Sequence, residues 1–262
     1  MGVRRIRPIS HEDRLSVVDH LDELRSRLIV SLAAFVVAWA LTTWQNHLVL
    51  EIMNAPLPVD DTTGEQIKPI TLGPSEAFTT TLMNAAYFAL IIAAPVILYE
   101  LYAFILPAFS PAERRVATPL LLMVPVLFIA GVVFCYFVVL TPALHFLLNF
   151  NASEFDTQVR AKDYYSFISL LMLTMGLGFQ IPIGILAACK LGITSAEKLR
   201  RNRRYAIVVI VVLAALLPTL DPVSLMLESL PFYLLYELSI VLAARWGRPA
   251  YDVSDEPAAE GL

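Results

Sequence analysis

The sequence predicts an all-α integral membrane protein with six transmembrane helices, and three observations support this fold class. First, 58% of the 262 residues are hydrophobic, only 16% are charged, and the mean hydropathy is +0.68. Soluble domains are roughly 45–50% apolar and about 25% charged. Second, the apolar residues form runs near the length of about 20 residues that crosses a bilayer. Third, the basic residues are concentrated in alternate loops, as membrane topology requires.

Four apolar runs of spanning length come first, at about 28–44, 78–104, 116–140 and 164–189. Proline recurs inside these runs, and each proline removes a backbone donor and tends to kink its helix. The prolines are compatible with a kinked, concave bundle. They are equally compatible with the general abundance of proline in membrane helices.

The last apolar run, from Tyr205 to Ala244, is too long to be one helix. At 1.5 Å per residue it would measure about 60 Å, roughly twice the hydrocarbon thickness. Two prolines and an aspartate at 218–222 interrupt it, so we predict two short final helices at about 205–217 and 223–244. These spans complete a single membrane domain, residues 1–246. The acidic, small-residue segment 247–262 predicts a disordered cytoplasmic tail.

The basic residues predict the orientation of the chain. With six spans, the loops at 1–27, 106–115, 190–204 and 245–262 lie on one side and hold all but three of the 19 Lys and Arg residues. Basic residues are retained on the cytoplasmic side. We therefore expect a multi-pass protein of the cell membrane with both termini in the cytoplasm. The three exceptions are Lys68, Arg160 and Lys162.

No catalytic or metal-binding motif occurs in the sequence. It contains no G-x-S-x-G, no H-E-x-x-H and no phosphate-binding G-x-x-x-x-G-K-[ST]. The two cysteines lie in apolar runs without metal or redox spacing. We expect a protein that is not an enzyme and that binds neither a metal nor a cofactor.

Charged residues near the cytoplasmic face are the candidates for function. Leucines and valines recur every three to four residues over 15–28, which predicts an amphipathic helix with Glu23 on its polar face. Ion pairs along that face would explain Glu23 without any function. In the segment 110–115, Ser110 and Glu113 are spaced as a helix-capping box, which is likewise a sufficient structural explanation.

Polar residues within the spans form a second group of candidates. A polar group in a bilayer is costly and normally faces protein or a wet cavity. We therefore expect Gln180 and Glu237 to face the interior of the bundle, whereas Asp221 falls at the turn between the final two helices.

Four stretches of the sequence form a pattern: H-L-D-E-L-R-S-R at 20–27, G-P-S-E-A-F at 73–78, the stretch 94–115 around the first cytoplasmic loop, and 192–205 in the second. In this order they resemble the TatC family of twin-arginine translocation proteins. The resemblance covers roughly residues 15 to 246. It implies a receptor that binds signal peptides bearing two adjacent arginines.

The resemblance also implies partners and a site. TatC proteins work with single-span TatA- and TatB-type proteins to export folded cargo, as homo-oligomers within a complex and without nucleic acid. Carried over by motif, the signal-peptide site comprises Glu23, Arg25, Phe104 and Glu113. The implied partner or intramembrane polar residues are Gln180, Asp221 and Glu237, and the outer-loop motif is Pro74, Glu76 and Phe78.

The sequence departs from the family pattern at three positions. Gln180 replaces a glutamate that is common in span four, so the amide retains hydrogen bonding without the charge. The turn at 218–221 reads P-T-L-D rather than T-P-P-D, and Leu225 stands where a glutamine is frequent. The turn at 218–221 and Leu225 lie in the region that the family uses to contact TatB-type partners. These two departures therefore affect the details of that contact.

Two other functions are compatible with this composition. A secondary transporter or channel for a small solute would use the intramembrane polar residues as a pathway, but the sequence shows no repeat and few intramembrane charges. An intramembrane enzyme would need a nucleophile and base, and no such pair is identifiable.

The short fifth span generates a prediction about transport. A span of about 13–16 residues would thin the bilayer locally, which would lower the barrier to a folded cargo. Inserting one helical turn into residues 205–217 should therefore impair export of a twin-arginine cargo. Unchanged export by the lengthened variant would contradict the thinning hypothesis.

Overall fold

The structure is a computed structural model that describes the backbone of residues 11–59, 66–105, 111–150, 154, 158–190, 192–215 and 222–246. Side chains are described at these positions except 11–19, 111–117 and 246. Within these ranges the regular structure is helical, apart from two isolated β-bridges between loop residues. The helices are α1 His11–Trp44, α2 Asn46–Asn54, α3 Glu76–Ile105, α4 Pro111–Phe134, α5 Leu140–Asn149, α6 Ala161–Gly178, α7 Ile181–Lys190, α8 Ala196–Arg201, α9 Arg203–Ala215 and α10 Pro222–Trp246.

Five helical stretches of the described chain are long and apolar enough to cross a membrane, which confirms the prediction of an all-α membrane protein. They are His20–Trp44, Glu76–Ile105, Thr118–Asn149, Ala161–Lys190 and Pro222–Arg245. The helix α9, in the predicted fifth span, has 13 residues and would measure about 20 Å. It is too short to count among them, so a six-span topology remains a prediction.

The helix α1 runs without a break through the amphipathic segment and the first apolar run. Its apolar surface is mostly exposed; Leu28, for example, retains 65% of its accessible surface. An apolar surface of this extent is the surface that lipid covers in a membrane protein. On the other side α1 packs closely on α3 through Ala38, Ala89 and Ala93, and Thr42 donates a hydrogen bond to the Ala85 carbonyl at 2.9 Å.

Two of the long spans are built from consecutive segments. A π-helical segment, Cys135–Val139, joins α4 to α5, and the turn at Phe179 and Gln180 joins α6 to α7 just before Pro182. Proline and π-helical turns are the usual causes of bends in long helices.

Glycines allow α4 and α6 to approach closely. The side chain of Phe128, which is 1% exposed, packs directly over Gly176. A Cβ atom at Gly131 would lie 2.8 Å from the Met175 carbonyl oxygen and 2.9 Å from the Gly176 Cα atom. Small residues at such crossings are what permits dense packing between membrane helices.

Side chains from other segments cap the carboxyl end of α2. Tyr136 donates to the Ile52 carbonyl at 2.7 Å, Tyr164 to the Met53 carbonyl at 2.8 Å, and Gln66 to the Asn54 carbonyl at 2.7 Å. The last carbonyls of a helix have no partner within the helix. These bonds therefore tie the end of α2 to the π-helical segment Cys135–Val139, to α6 and to the loop that contains Gln66.

The close crossing of α4 and α6 predicts opposite effects for two glycine substitutions. Gly131→Ala would force the backbones apart, so we expect it to lower the free energy of unfolding by about 1–3 kcal/mol. Gly184→Ala is the matched control, because nothing lies within 4 Å of its Cβ position and alanine is the better helix former. Thermal unfolding in detergent measures both. Equal midpoints for the two variants would contradict the crossing.

Candidate functional site

An ion-pair cluster joins α1 to α3 at one end of the bundle. Glu23 and Arg27 lie one turn apart on α1, and Glu100 lies near the carboxyl end of α3. Arg27 donates from Nε at 3.0 Å and from Nη2 at 2.7 Å to Glu23 Oε1. Its Nη1 donates to Glu100 Oε2 at 2.8 Å. One guanidinium thus holds two carboxylates from different helices, and we call these three residues the α1–α3 cluster.

The charge of the α1–α3 cluster favours a further cation. Two carboxylates and one guanidinium leave one negative charge. The side chains of Glu23, Arg27 and Glu100 are 34%, 25% and 17% exposed, so the cluster remains open to solvent. Among the described residues, none donates a hydrogen bond to Glu23 Oε2 or Glu100 Oε1. These two oxygens can accept charge-assisted hydrogen bonds from an external guanidinium.

An aromatic pair lies beside the cluster. The rings of His20 and Phe104 stack with centroids 4.5 Å apart and planes 16° from parallel. His20 precedes Glu23 by one turn of α1, and Phe104 follows Glu100 by one turn of α3, so the pair continues the same two helix faces. The combination of carboxylates and a planar aromatic surface suits a guanidinium group, which both hydrogen-bonds and stacks.

The structure brings together some of the predicted signal-peptide residues. Glu23 and Phe104 lie on adjoining faces of α1 and α3, and Arg25 is exposed on α1. Glu113 lies in the first turn of α4, where side chains fall outside the described residues. Sequence reasoning did not assign Arg27 or Glu100 to the site. The i, i+4 spacing of Glu23 and Arg27 could have indicated Arg27. A carboxylate inside an apolar span needs a partner, and this need could have indicated Glu100.

The intramembrane polar residues lie elsewhere in the fold. Gln180 is buried at the α6–α7 turn, and its Nε2 donates to the Val124 carbonyl of α4 at 3.2 Å. Glu237 on α10 is half-buried, accepting from Arg203 Nη2 at 2.8 Å and from the Tyr233 hydroxyl at 3.0 Å. Asp221 lies outside the described residues.

The outer-loop motif forms the amino-terminal end of α3. Glu76 accepts the Leu72 backbone N–H at 2.8 Å and pairs with Arg160, whose Nε lies 2.7 Å from Glu76 Oε1. The bonded carboxylate raises the pKa of Arg160 above its ordinary value, so this guanidinium remains charged. Pro74 and Phe78 are exposed, Phe78 by 72%.

In the described part of the chain, no three His, Cys, Asp or Glu side chains converge on a possible metal site. The two carboxylates of the α1–α3 cluster and the aromatic pair beside them are suited to recognition of a cation.

Comparisons with known proteins converge on one family. The family model described as Sec-independent protein translocase protein (TatC) matches residues 19–231. A TatC protein of Carboxydothermus hydrogenoformans is 33% identical over 234 residues, covering 88% of this chain and 94% of that protein. TatC of Escherichia coli K12 is 34% identical over 232 residues, covering 88% of this chain and 89% of that protein. A crystal structure of a twin arginine translocase receptor, TatC, superposes with a TM-score of 0.74 at 36% identity, covering 87% of this chain and all of that one.

Proposed function

This chain belongs to the TatC family of Sec-independent protein translocase proteins, and from that premise we propose that it is the receptor subunit that binds twin-arginine signal peptides. As a family member it is a membrane-embedded component of the twin-arginine translocase and not an enzyme. Family membership gives no support to the small-solute transporter that composition alone allowed.

The observation that carries the proposal is the α1–α3 cluster. Adjacent arginines require carboxylates able to accept forked hydrogen bonds, and a site that discriminates against lysine requires more than negative charge. Glu23 keeps one carboxylate oxygen that accepts no hydrogen bond from a described residue, and the stacked rings of His20 and Phe104 lie one turn away along the same two helices. Arg25 and Glu113 complete the proposed site, because a carboxylate that caps a helix can also accept a hydrogen bond from an arginine.

We further propose that six spans place this site on the cytoplasmic side. Glu100 of the α1–α3 cluster lies near the end of α3 that precedes the predicted loop 106–115, and this loop contains Arg114 and Arg115. Basic residues are retained in the cytoplasm. Under this topology α9 is the short fifth span, both termini are cytoplasmic, residues 1–246 form one concave domain of the plasma membrane, and 247–262 form a disordered tail.

The proposed partners are TatA- and TatB-type single-span proteins, within a complex that contains more than one copy of this chain. Gln180, Asp221 and Glu237 are the polar residues proposed to serve these contacts or the intramembrane pathway. The buried Gln180 Oε1, which accepts no hydrogen bond within the described part of the chain, supports such a role. An unsatisfied amide oxygen in a membrane interior favours pairing with another polar group.

Peptide binding tests the receptor proposal directly. The full chain in nanodiscs would be titrated with a twin-arginine signal peptide and with its twin-lysine counterpart. We expect arginine-selective binding, and we expect Glu23→Gln or Glu113→Gln to weaken it by about tenfold to a hundredfold, since a hydrogen bond to a charged group contributes about 1.5–3 kcal/mol.

The matched control is Glu237→Gln, which removes a carboxylate from an ion pair of similar length, 2.8 Å from Arg203. This variant should bind the peptide as the unmodified chain does. Selective binding that survives both Glu23→Gln and Glu113→Gln would discard the site while retaining the receptor. Equal affinity for the arginine and lysine peptides in the unmodified chain would contradict the receptor function.

A further inference from the structure

A cavity of about 430 Å³ lies between the amino-terminal halves of α3 and α6, at the opposite end of the bundle from the α1–α3 cluster. Its α3 side is formed by one helix face, on which Glu76, Thr80, Asn84 and Tyr87 recur every three to four residues. This cavity takes no part in the proposed recognition of signal peptides.

Two buried polar side chains in the cavity wall have no hydrogen-bond partner among the described residues. Asn84 is 1% exposed, and neither its Nδ2 nor its Oδ1 atom is bonded. Thr80, one turn away, is 7% exposed, and its hydroxyl is likewise unbonded. Leaving an amide and a hydroxyl unsatisfied costs several kcal/mol in an apolar environment. Both groups therefore favour a ligand that can hydrogen-bond in the cavity.

The mouth of the cavity is charged, and one cation there is available. Arg160 forms an ion pair with Glu76 at 2.7 Å. Asp163, whose carboxylate lies 3.8 Å from Arg160, does not line the cavity. Lys162 is exposed and forms no ion pair with any described side chain. The charged lining residues thus carry a net charge of +1, and Lys162 can receive an anion.

The chemistry of the wall changes with depth. From Glu76 at the mouth to Asn84 is eight residues of helix, or about 12 Å. Met83 lies beside Asn84 on α3 and Tyr87 lies one turn further on, and these two lining residues are 62% and 37% exposed to the surroundings of the bundle. From the mouth inward, the wall of the cavity therefore presents a cation, then hydrogen-bonding groups, then apolar surface open to lipid.

We propose that this cavity binds one glycerophospholipid of the leaflet into which it opens. A glycerophospholipid presents a phosphate, then ester carbonyls, then acyl chains, in the same order as the wall. The phosphate pairs with Lys162, the ester carbonyls accept hydrogen bonds from Asn84 Nδ2 and the Thr80 hydroxyl, and an acyl chain lies along Met83 and Tyr87. A free phosphate shares only the first of these contacts.

The test uses the full chain, delipidated in detergent and titrated with dioleoylphosphatidylglycerol while binding is followed by native mass spectrometry and thermal unfolding. We expect saturable binding of one lipid that raises the unfolding midpoint. Lys162→Gln should weaken this binding about tenfold, the effect of losing one charge-assisted hydrogen bond. Lys68→Gln is the control, since Lys68 does not line the cavity. Dioleoylglycerol, which lacks the phosphate, should bind weakly, and inorganic phosphate should not stabilise the protein.

Asn84→Leu provides a second readout that separates binding from folding. Leucine has a similar size and removes the unsatisfied amide, so the lipid-free variant should unfold at an equal or higher temperature than the unmodified chain. It should nevertheless lose most of the lipid-induced stabilisation. Lipid binding unchanged by both Lys162→Gln and Asn84→Leu would overturn the proposal, as would stabilisation by inorganic phosphate equal to that by the lipid.

Discussion

One constraint governs the rest of this structure: charged and polar groups must be paired wherever the chain meets an apolar environment. A hydrocarbon interior offers no water to an unsatisfied group, so charges must lie at helix ends or form pairs. Arg27, Arg160 and Arg203 each form an ion pair with a helical carboxylate, at 2.7–2.8 Å. Two of these contacts join different helices: Arg27 of α1 pairs with Glu100 of α3, and Arg203 of α9 pairs with Glu237 of α10.

The same constraint explains the caps and crossings that hold the bundle. The carbonyls at the end of α2 receive hydrogen bonds from Tyr136, Tyr164 and Gln66, because no further helical turn is available to satisfy them. Apolar packing between the long helices then depends on small residues, as where Gly176 lies beneath Phe128. Exposed apolar surface on α1 is compatible with this arrangement because lipid covers it.

Sequence patterns revealed the class of fold because hydrophobic length and charge placement are local properties of the chain. They did not reveal the contact between Arg27 and Glu100, which are 73 residues apart and meet only because α1 packs on α3. Periodicity suggested a solvated face for Glu23, and the structure shows that its partner Arg27 also reaches a second helix. The orphaned amide of Asn84 was equally invisible, since an asparagine in an apolar run does not disclose whether its neighbours satisfy it. The functional roles of Glu113 and Asp221 were implied by the family resemblance, and the Glu113 side chain and the whole of Asp221 lie outside the described residues.

The central claim is that the cation-binding surface formed by the α1–α3 cluster and Phe104 receives the arginine pair. Site-specific photocrosslinking in inverted membrane vesicles tests it most directly, with a photoreactive phenylalanine analogue at the Phe104 position and, separately, at Met83 in the cavity at the other end of the bundle. The account predicts that a twin-arginine precursor crosslinks from position 104, that a twin-lysine precursor does so much less, and that Glu23→Gln abolishes the difference. Equal crosslinking of the two precursors from position 104, or crosslinking confined to position 83, would contradict it.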